Sequence, residues 1–407
     1  MERLLKTSTR RDWMKTVGLE TVGLPLGLGL LRSARASETQ QDQQEDQGQD
    51  VSAREIEHVL FKGILDAWYP RCLDRAGGFH ENFAEDWSRR PTESKFIVFQ
   101  ARMTWVPAVI ARRYPRQRKR FLAYTRHGLT FLTDRMWDAT HGGFIERVDE
   151  KGRPDSRWLP WKQLYGQAFG IYGAAGAFQA TGDKEALQLA IDGFRWLEDH
   201  AHDDKHGGYF ECTTAEGRPI ALMPQSEWQQ PRFSFIGRAG HKSMNAHIHV
   251  LEALTALRQV CNDPRLNQRL DEVFLIVRDK IVRPGGHLAM FSALDFTPTD
   301  ERSSFGHELE TAYLLLEAAE LVGRNDEKTR RVARELVEHS LRFGWDEKHG
   351  GFFDEGPPQT EPVERRKVWW AQPEGINGLL AVDRLPGKID PRYRATFERN
   401  WAFFRDH

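Results

Sequence analysis

Five glycine pairs, Gly77-Gly78, Gly142-Gly143, Gly207-Gly208, Gly285-Gly286 and Gly350-Gly351, divide the 407-residue chain at steps of 65, 65, 78 and 65 residues, each followed by an aromatic residue or His. A fixed period of this kind means one supersecondary unit copied around an axis, because a single unit cannot bury its own apolar face. Between the pairs, apolar residues recur at three- and four-residue steps, as from Ala186 to Leu197 and from Leu315 to Val322. That is the period of helices lying on a core. The pattern predicts helices over 53–68, 95–113, 118–136, 162–181, 184–201, 242–261, 264–282, 305–323, 327–343, 368–383 and 391–406. Each glycine pair follows an odd-numbered helix, so a unit reads as odd helix, Gly-Gly-aromatic turn, short extended loop, even helix. Such hairpins suit an all-α (α/α)6 barrel, with even helices inside and a pocket at one end of the ring. Eleven helices are expected, and one further 65-residue step from Gly350 reaches about residue 415, past His407, so the expected barrel lacks one inner helix.

The surplus in the 78-residue step falls in the loop 212–241, which carries Trp228, Phe233, Phe235 and Arg238. Loops that long in compact domains are commonly functional, and this one reads as a lid or pocket wall. Ahead of the repeat, Arg10-Arg11 precede an apolar stretch from Val17 to Leu31 and the small-residue site Ala34-Arg35-Ala36. Residues 1–36 therefore read as a twin-arginine signal peptide, implying a periplasmic or secreted protein. The stretch is shorter than the roughly 20 residues of a membrane span, so no stable membrane insertion is expected. Residues 37–52, rich in Gln and Asp, read as a disordered linker, leaving 53–407 as the barrel domain.

Removing residues 1–36, with seven Lys or Arg and three Asp or Glu, takes the formal charge from −1 to −5. That balance argues against a nucleic-acid partner. Cys72, Cys212 and Cys261 have no metal-ligand spacing and read as inert thiols. No HExxH, CxxC, phosphate-loop or dinucleotide fingerprint is present, so neither a metal nor another cofactor is expected. His141, His206 and His349 each precede a glycine pair at the same repeat position and read as turn residues.

Chemistry-bearing residues collect at the start of each even helix: Lys95 with Gln100 and Arg102; Lys162 with Tyr165 and Gln167; Lys242 through His249; His307 through Glu310; and Trp369 through Glu374. In a barrel these starts would face one pocket. Asn245 and His249 are four residues apart and His307 and Glu310 three apart, so each pair shares a helix face, whereas His247 points elsewhere. The inward set is Arg102, Tyr165, Asn245, His249, His307, Glu310, Trp370 and Glu374. Indole faces stack on sugar rings while charged groups bind hydroxyls, so the set suits a mono- or disaccharide. Imidazole, with an ordinary pKa near 6.5, suits proton abstraction beside the C1 carbonyl of an open-chain aldose, and Arg102 suits stabilisation of the enediolate oxygen.

The segments KSMNAHIHVLEA (242–253), FGHELE (305–310), KQLYGQAF (162–169), QAR (100–102) and WWAQPEG (369–375), in that arrangement, resemble the N-acylglucosamine 2-epimerase superfamily, which includes cellobiose 2-epimerases and mannose isomerases. The resemblance covers about residues 55–407 and leans toward the cellobiose branch. It implies catalytic roles for His249 and His307, a sugar-holding or orienting role for Glu310, contact of Arg102 with the reacting oxygens, and Trp370 in the sugar site. It also implies a further catalytic His on a last inner helix, which this sequence does not reach; a truncated reading frame, a second chain supplying the helix and a sugar-binding remnant are the three explanations. The alternative enzyme is an (α/α)6 glycoside hydrolase or lyase, for which Glu310 and Glu374 are the nearest carboxylate pair. A homodimer is the expected assembly.

Overall fold

A computed structural model describes residues 51, 53–91, 94–155, 161–224, 227, 240–300, 302–387 and 390–407. Residues 1–36, read above as a signal peptide, all of 37–52 except Val51, and Trp228, Phe233, Phe235 and Arg238 lie outside the described residues. Val51, placed in the linker by composition, is buried against the main core.

Eleven helices are found among the described residues. The outer ones are α1 (Ala53–His58, continued by a π-helical turn Val59–Leu65 and by Asp66–Trp68), α3 (Arg118–Phe131), α5 (Lys184–His200), α7 (Pro264–Ile276), α9 (Glu327–His339) and α11 (Pro391–Asp406). The inner ones are α2 (Ile97–Arg113), α4 (Leu164–Thr181), α6 (Met244–Arg258), α8 (Phe305–Val322) and α10 (Ala371–Asp383). Each inner helix packs on the next in the order α2, α4, α6, α8, α10, and each also packs on the outer helix that follows it in the chain. This is the (α/α)6-type architecture that the repeat predicts. At the outer rim, Trp401 and Arg405 of α11 donate to Glu55 of α1 at 2.9 and 2.8 Å. No described helix is long and apolar enough to cross a membrane.

Local chemistry sets the hairpins. Asp183, Asp263, Asp326 and Asp390 accept from the first backbone N–H groups of α5, α7, α9 and α11, satisfying donors that have no intrahelical partner. Outer helices bury one stripe, as α9 does with Val332, Ala333, Leu336 and Val337. Inner helices are buried nearly all round, and α4 presents glycines to its neighbours. A Cβ on Gly173 would lie 3.0 Å from the Ala101 carbonyl, so the small residue sets how closely α2 and α4 approach.

α2, α4 and α6 start two residues later than their periodicity suggests, because the residues before them form short strands, whereas α8 starts at Phe305 as expected and α10 three residues late at Ala371. β1 (Lys95–Phe96) pairs antiparallel with β2 (Arg147–Val148), and β3 (Trp161–Gln163) with β4 (Cys212–Thr214). β5 (Lys242–Ser243) pairs with β8 (Phe291–Ser292), and β9 (Ser303–Ser304) with β10 (Glu355–Gly356). In every case the strand entering an inner helix pairs with the loop behind the next unit's glycine turn. A local hairpin, β6 (Val282–Arg283) with β7 (His287–Leu288), completes the set. The strand pairs stitch successive units at the end of the ring where the inner helices begin.

The geometry that recurs between units rests on two devices, a lysine contact at four of the five turns and a glutamine clamp at three. Lys95, Lys162, Lys242 and Lys367 reach Asp74, Asp138, Asp203 and Asp346 at 2.7–2.8 Å, and each also donates to the carbonyl of the first glycine in its turn. Gln100, Gln167 and Gln372 clamp both the N–H and the C=O of Phe79, Phe144 and Phe352. The lysines and glutamines that begin the even helices are therefore turned to the glycine turns and away from a common pocket. A positive φ is needed there: Gly143 has φ +73°, and a Cβ on it would lie 2.7 Å from Trp196.

Candidate active site

What remains of the helix-start clusters, once the turn-holding residues are set aside, converges within the ring. Arg102 of α2 places its guanidinium 4.2 Å over the Phe169 ring of α4. It keeps accessible surface although protein surrounds it, as for a group lining the inside of a ring. Burial opposes its charge, but Tyr165, Glu252 and Glu310 outweigh that cost and raise its pKa.

His249 of α6 is buried, with Tyr165 edge-on at 5.1 Å and Phe169 tilted at 4.8 Å. Its Nδ1 lies 2.8 Å from Glu252 Oε2, and its Nε2 lies 3.7 Å from Glu310 Oε1 on α8. Burial draws its pKa down, against the pull of Glu252. His307, on the first turn of α8, shares a 2.6 Å hydrogen bond with Ser304 Oγ and packs against Trp370 at 4.6 Å. Burial and then the nearness of His249 push its pKa down to about 3. Both imidazoles are thus neutral bases at pH 7.

Glu310 and Glu374 are raised for two reasons. Burial comes first for both, and Glu310 is raised further by Glu374 and Glu252, while Arg102 pulls the other way. Tyr313 donates to Glu374 at 2.8 Å. Three carboxyls facing a single guanidinium cannot all ionise cheaply, so this part of the site retains a proton near neutrality. Neutral imidazole bases, a retained carboxyl proton and a fixed cation together equip the site to move a proton next to a carbonyl whose oxygen becomes anionic.

With that geometry in place, residues 77–407 match the N-acylglucosamine 2-epimerase (GlcNAc 2-epimerase) family. The chain belongs to this family. It is similar to cellobiose 2-epimerase of Bacteroides fragilis, 28% identical over 370 residues, covering 88% of each chain. D-mannose isomerase of Marinomonas mediterranea is 21% identical over 84% of each. The solved structure of cellobiose 2-epimerase from Spirochaeta thermophila superposes with a TM-score of 0.72 at 32% identity, over 87% of this chain and 84% of that one.

Seven of the eight residues that helical spacing assigns inward, Arg102, Tyr165, His249, His307, Glu310, Trp370 and Glu374, are linked by the contacts above. Asn245 stands apart: its Oδ1 is buried without a hydrogen-bond partner. His247 does point elsewhere, accepting from the N–H of Tyr209. Glu252, Tyr172 and Tyr313 escaped the sequence reading, although the three-residue step from His249 to Glu252 is the same signal that paired His307 with Glu310. His141, His206 and His349 sit in turns, each donating its N–H to the turn aspartate. A cleft of about 650 Å3 between α9 and α11 contains none of the candidate residues. Among the described residues no three His, Cys, Asp or Glu side chains gather into a metal-holding group.

Proposed function

We propose that the protein is a sugar 2-epimerase or aldose-ketose isomerase that moves the C2 proton of an open-chain aldose through an enediolate. The observation that carries this reading is the position of His249: a buried neutral imidazole whose Nε2 is directed toward Glu310, beside a guanidinium held by Tyr165 and Glu310. In this reading His249 removes the C2 proton, Arg102 meets the charge that develops on the carbonyl oxygen, and Glu310 exchanges a proton with the sugar oxygens. His307 is the second acid-base group. Trp370, packed on His307, offers its indole to the sugar ring. Family membership supports a saccharide substrate of the cellobiose, mannose or N-acylglucosamine type. We also propose twin-arginine export, on the strength of Arg10-Arg11 and the apolar stretch after them; the test is fractionation of cells making the full chain beside an Arg10→Lys/Arg11→Lys variant, which should be retained inside.

The test of the reaction is incubation of residues 37–407 with cellobiose, mannose, glucose and N-acetylglucosamine in D2O, following C2 deuteration and new isomers by NMR. Deuteration with isomers of unchanged carbon skeleton is expected. Cleaved glycosides would replace this reading with the hydrolase, and saturable binding without exchange would replace it with a sugar-binding protein.

A further inference from the structure

The two nitrogens of His249 have different neighbours, and the groups behind the ring select which one carries the proton. Nδ1 faces Glu252 Oε2 at 2.8 Å, and Nε2 faces the site. Glu252 is itself held from another helix: Tyr172 of α4 hydrogen-bonds to it. The Tyr172 ring stacks on Trp105 of α2 at 4.9 Å and 22°. Burial raises the Tyr172 phenol well above its ordinary pKa, so it stays protonated and acts as the donor. Two neighbouring inner helices thus fix the carboxylate that α6 places one turn beyond His249.

We infer that Glu252 is a positioning residue for proton transfer: it holds His249 as the Nδ1–H tautomer, so that the Nε2 lone pair is free to take the C2 proton. The inference rests on the proposed reaction. As Nε2 takes the proton, the C2–H electron pair becomes the C1–C2 double bond and the carbonyl pair moves onto oxygen. The imidazolium that forms keeps its Nδ1–H on Glu252, and return of the proton restores the neutral ring. The groups around this ring divide into two sets. Arg102 opposes its positive charge, while His307 is a neutral ring and Tyr165 packs edge-on as a neutral phenol. Glu310 and Glu374 are raised toward their protonated forms. Glu252 differs from them: burial pushes it up, but the bond from His249 and the charges of His249 and Arg102 bring it below the ordinary carboxylate value. It is the carboxyl that is ionised when the imidazolium forms.

The test has two arms. In the first, the full chain labelled with 15N-histidine is compared with a His249→Gln variant to assign the ring by NMR; a protonated Nδ1 and bare Nε2 are expected, and a protonated Nε2 would overturn the inference. In the second, Glu252→Gln, isosteric and still able to accept from Tyr172, is assayed by C2 exchange. The expected result is a fall in kcat of about 100-fold with KM within about twofold, and an acidic limb moved down by about one pH unit, because the imidazolium has lost its counter-charge. An unchanged kcat and pH profile, or lost activity with both the limb and the His249 tautomer unmoved, would overturn it. Should Glu252→Gln fail to fold, the wild-type tautomer decides alone. Absence of exchange in the wild type would defeat the functional reading, and the tautomer would still report on Glu252.

Discussion

His247 provides the sharpest test of the packing argument, since it occupies the place that Gln holds in three other units. It is fully buried; its Nδ1 donates to the Ser243 carbonyl at 2.8 Å, and its Nε2 accepts from the Tyr209 N–H at 3.2 Å. Those partners permit only the neutral ring, because a second N–H would meet the Tyr209 N–H. Burial, with Lys242 adding repulsion, lowers its pKa from 6.5 to about 4. Above pH 6.5 neither folded nor unfolded chain binds this proton and the site adds no pH dependence. As pH falls below 6.5 the unfolded chain binds it first, so stability drops until the folded pKa is reached. At about 1.36 kcal/mol per pH unit the loss approaches about 3 kcal/mol at pH 4. His247→Gln should install the clamp seen at Gln100, Gln167 and Gln372 and abolish this share of the acid sensitivity. Urea unfolding of both proteins at pH 7 and pH 4 measures it. The difference between wild type and variant should change by about 3 kcal/mol between the two pH values, and parallel losses in both would refute the assignment of this ring as neutral and structural.

Four further outcomes follow from the same structure. His249→Ala and His307→Ala should each lower C2 exchange by at least about 100-fold with unchanged circular dichroism; a wild-type rate in either removes that residue from the mechanism. Lys242→Met leaves Asp203 buried without its 2.7 Å partner and should cost about 3–5 kcal/mol in urea unfolding; a loss below about 1 kcal/mol would show that the pair does not hold the turn. Glu374→Gln removes a like charge from Glu310, so Glu310 should ionise at lower pH and the alkaline limb of kcat should move down; a stationary limb would separate the two carboxyls. Gly143→Ala, with φ +73° and Trp196 at 2.7 Å, should lower Tm more than Gly182→Ala, where φ is +70° and nothing lies within 4 Å; the second change isolates the backbone cost of about 1–2 kcal/mol.

The glycine repeat and the apolar period made the helical hairpins legible, because both are properties of short stretches read one unit at a time. Helical spacing likewise grouped Arg102, His249, His307, Glu310 and Glu374, since residues three or four apart on a helix share a face whatever surrounds it. Spacing could not separate Lys95 from Arg102, or Gln167 from Tyr165, by destination. The lysines and glutamines reach back to the glycine turn that precedes them in the chain, a contact made when each hairpin folds back on itself and not visible in the spacing along one helix. Their recurrence beside every turn aspartate was the available signal. Glu252 was hidden for a related reason: its importance depends on Tyr172, 80 positions before it in the chain, and on Trp105 beyond that.

Taken alone, the sequence determined the unit, its turn chemistry and the face on which each inner-helix residue lies, because those follow from the backbone's own periods and from glycine's access to positive φ. The tertiary structure decided which charges are lost and which are kept. Packing five inner helices side by side gathers Glu310, Glu374, His249 and His307 around one guanidinium, surrounded by protein. The resulting competition between desolvation and neighbouring charge makes neutral bases and a retained proton out of residues that would titrate ordinarily on an isolated helix.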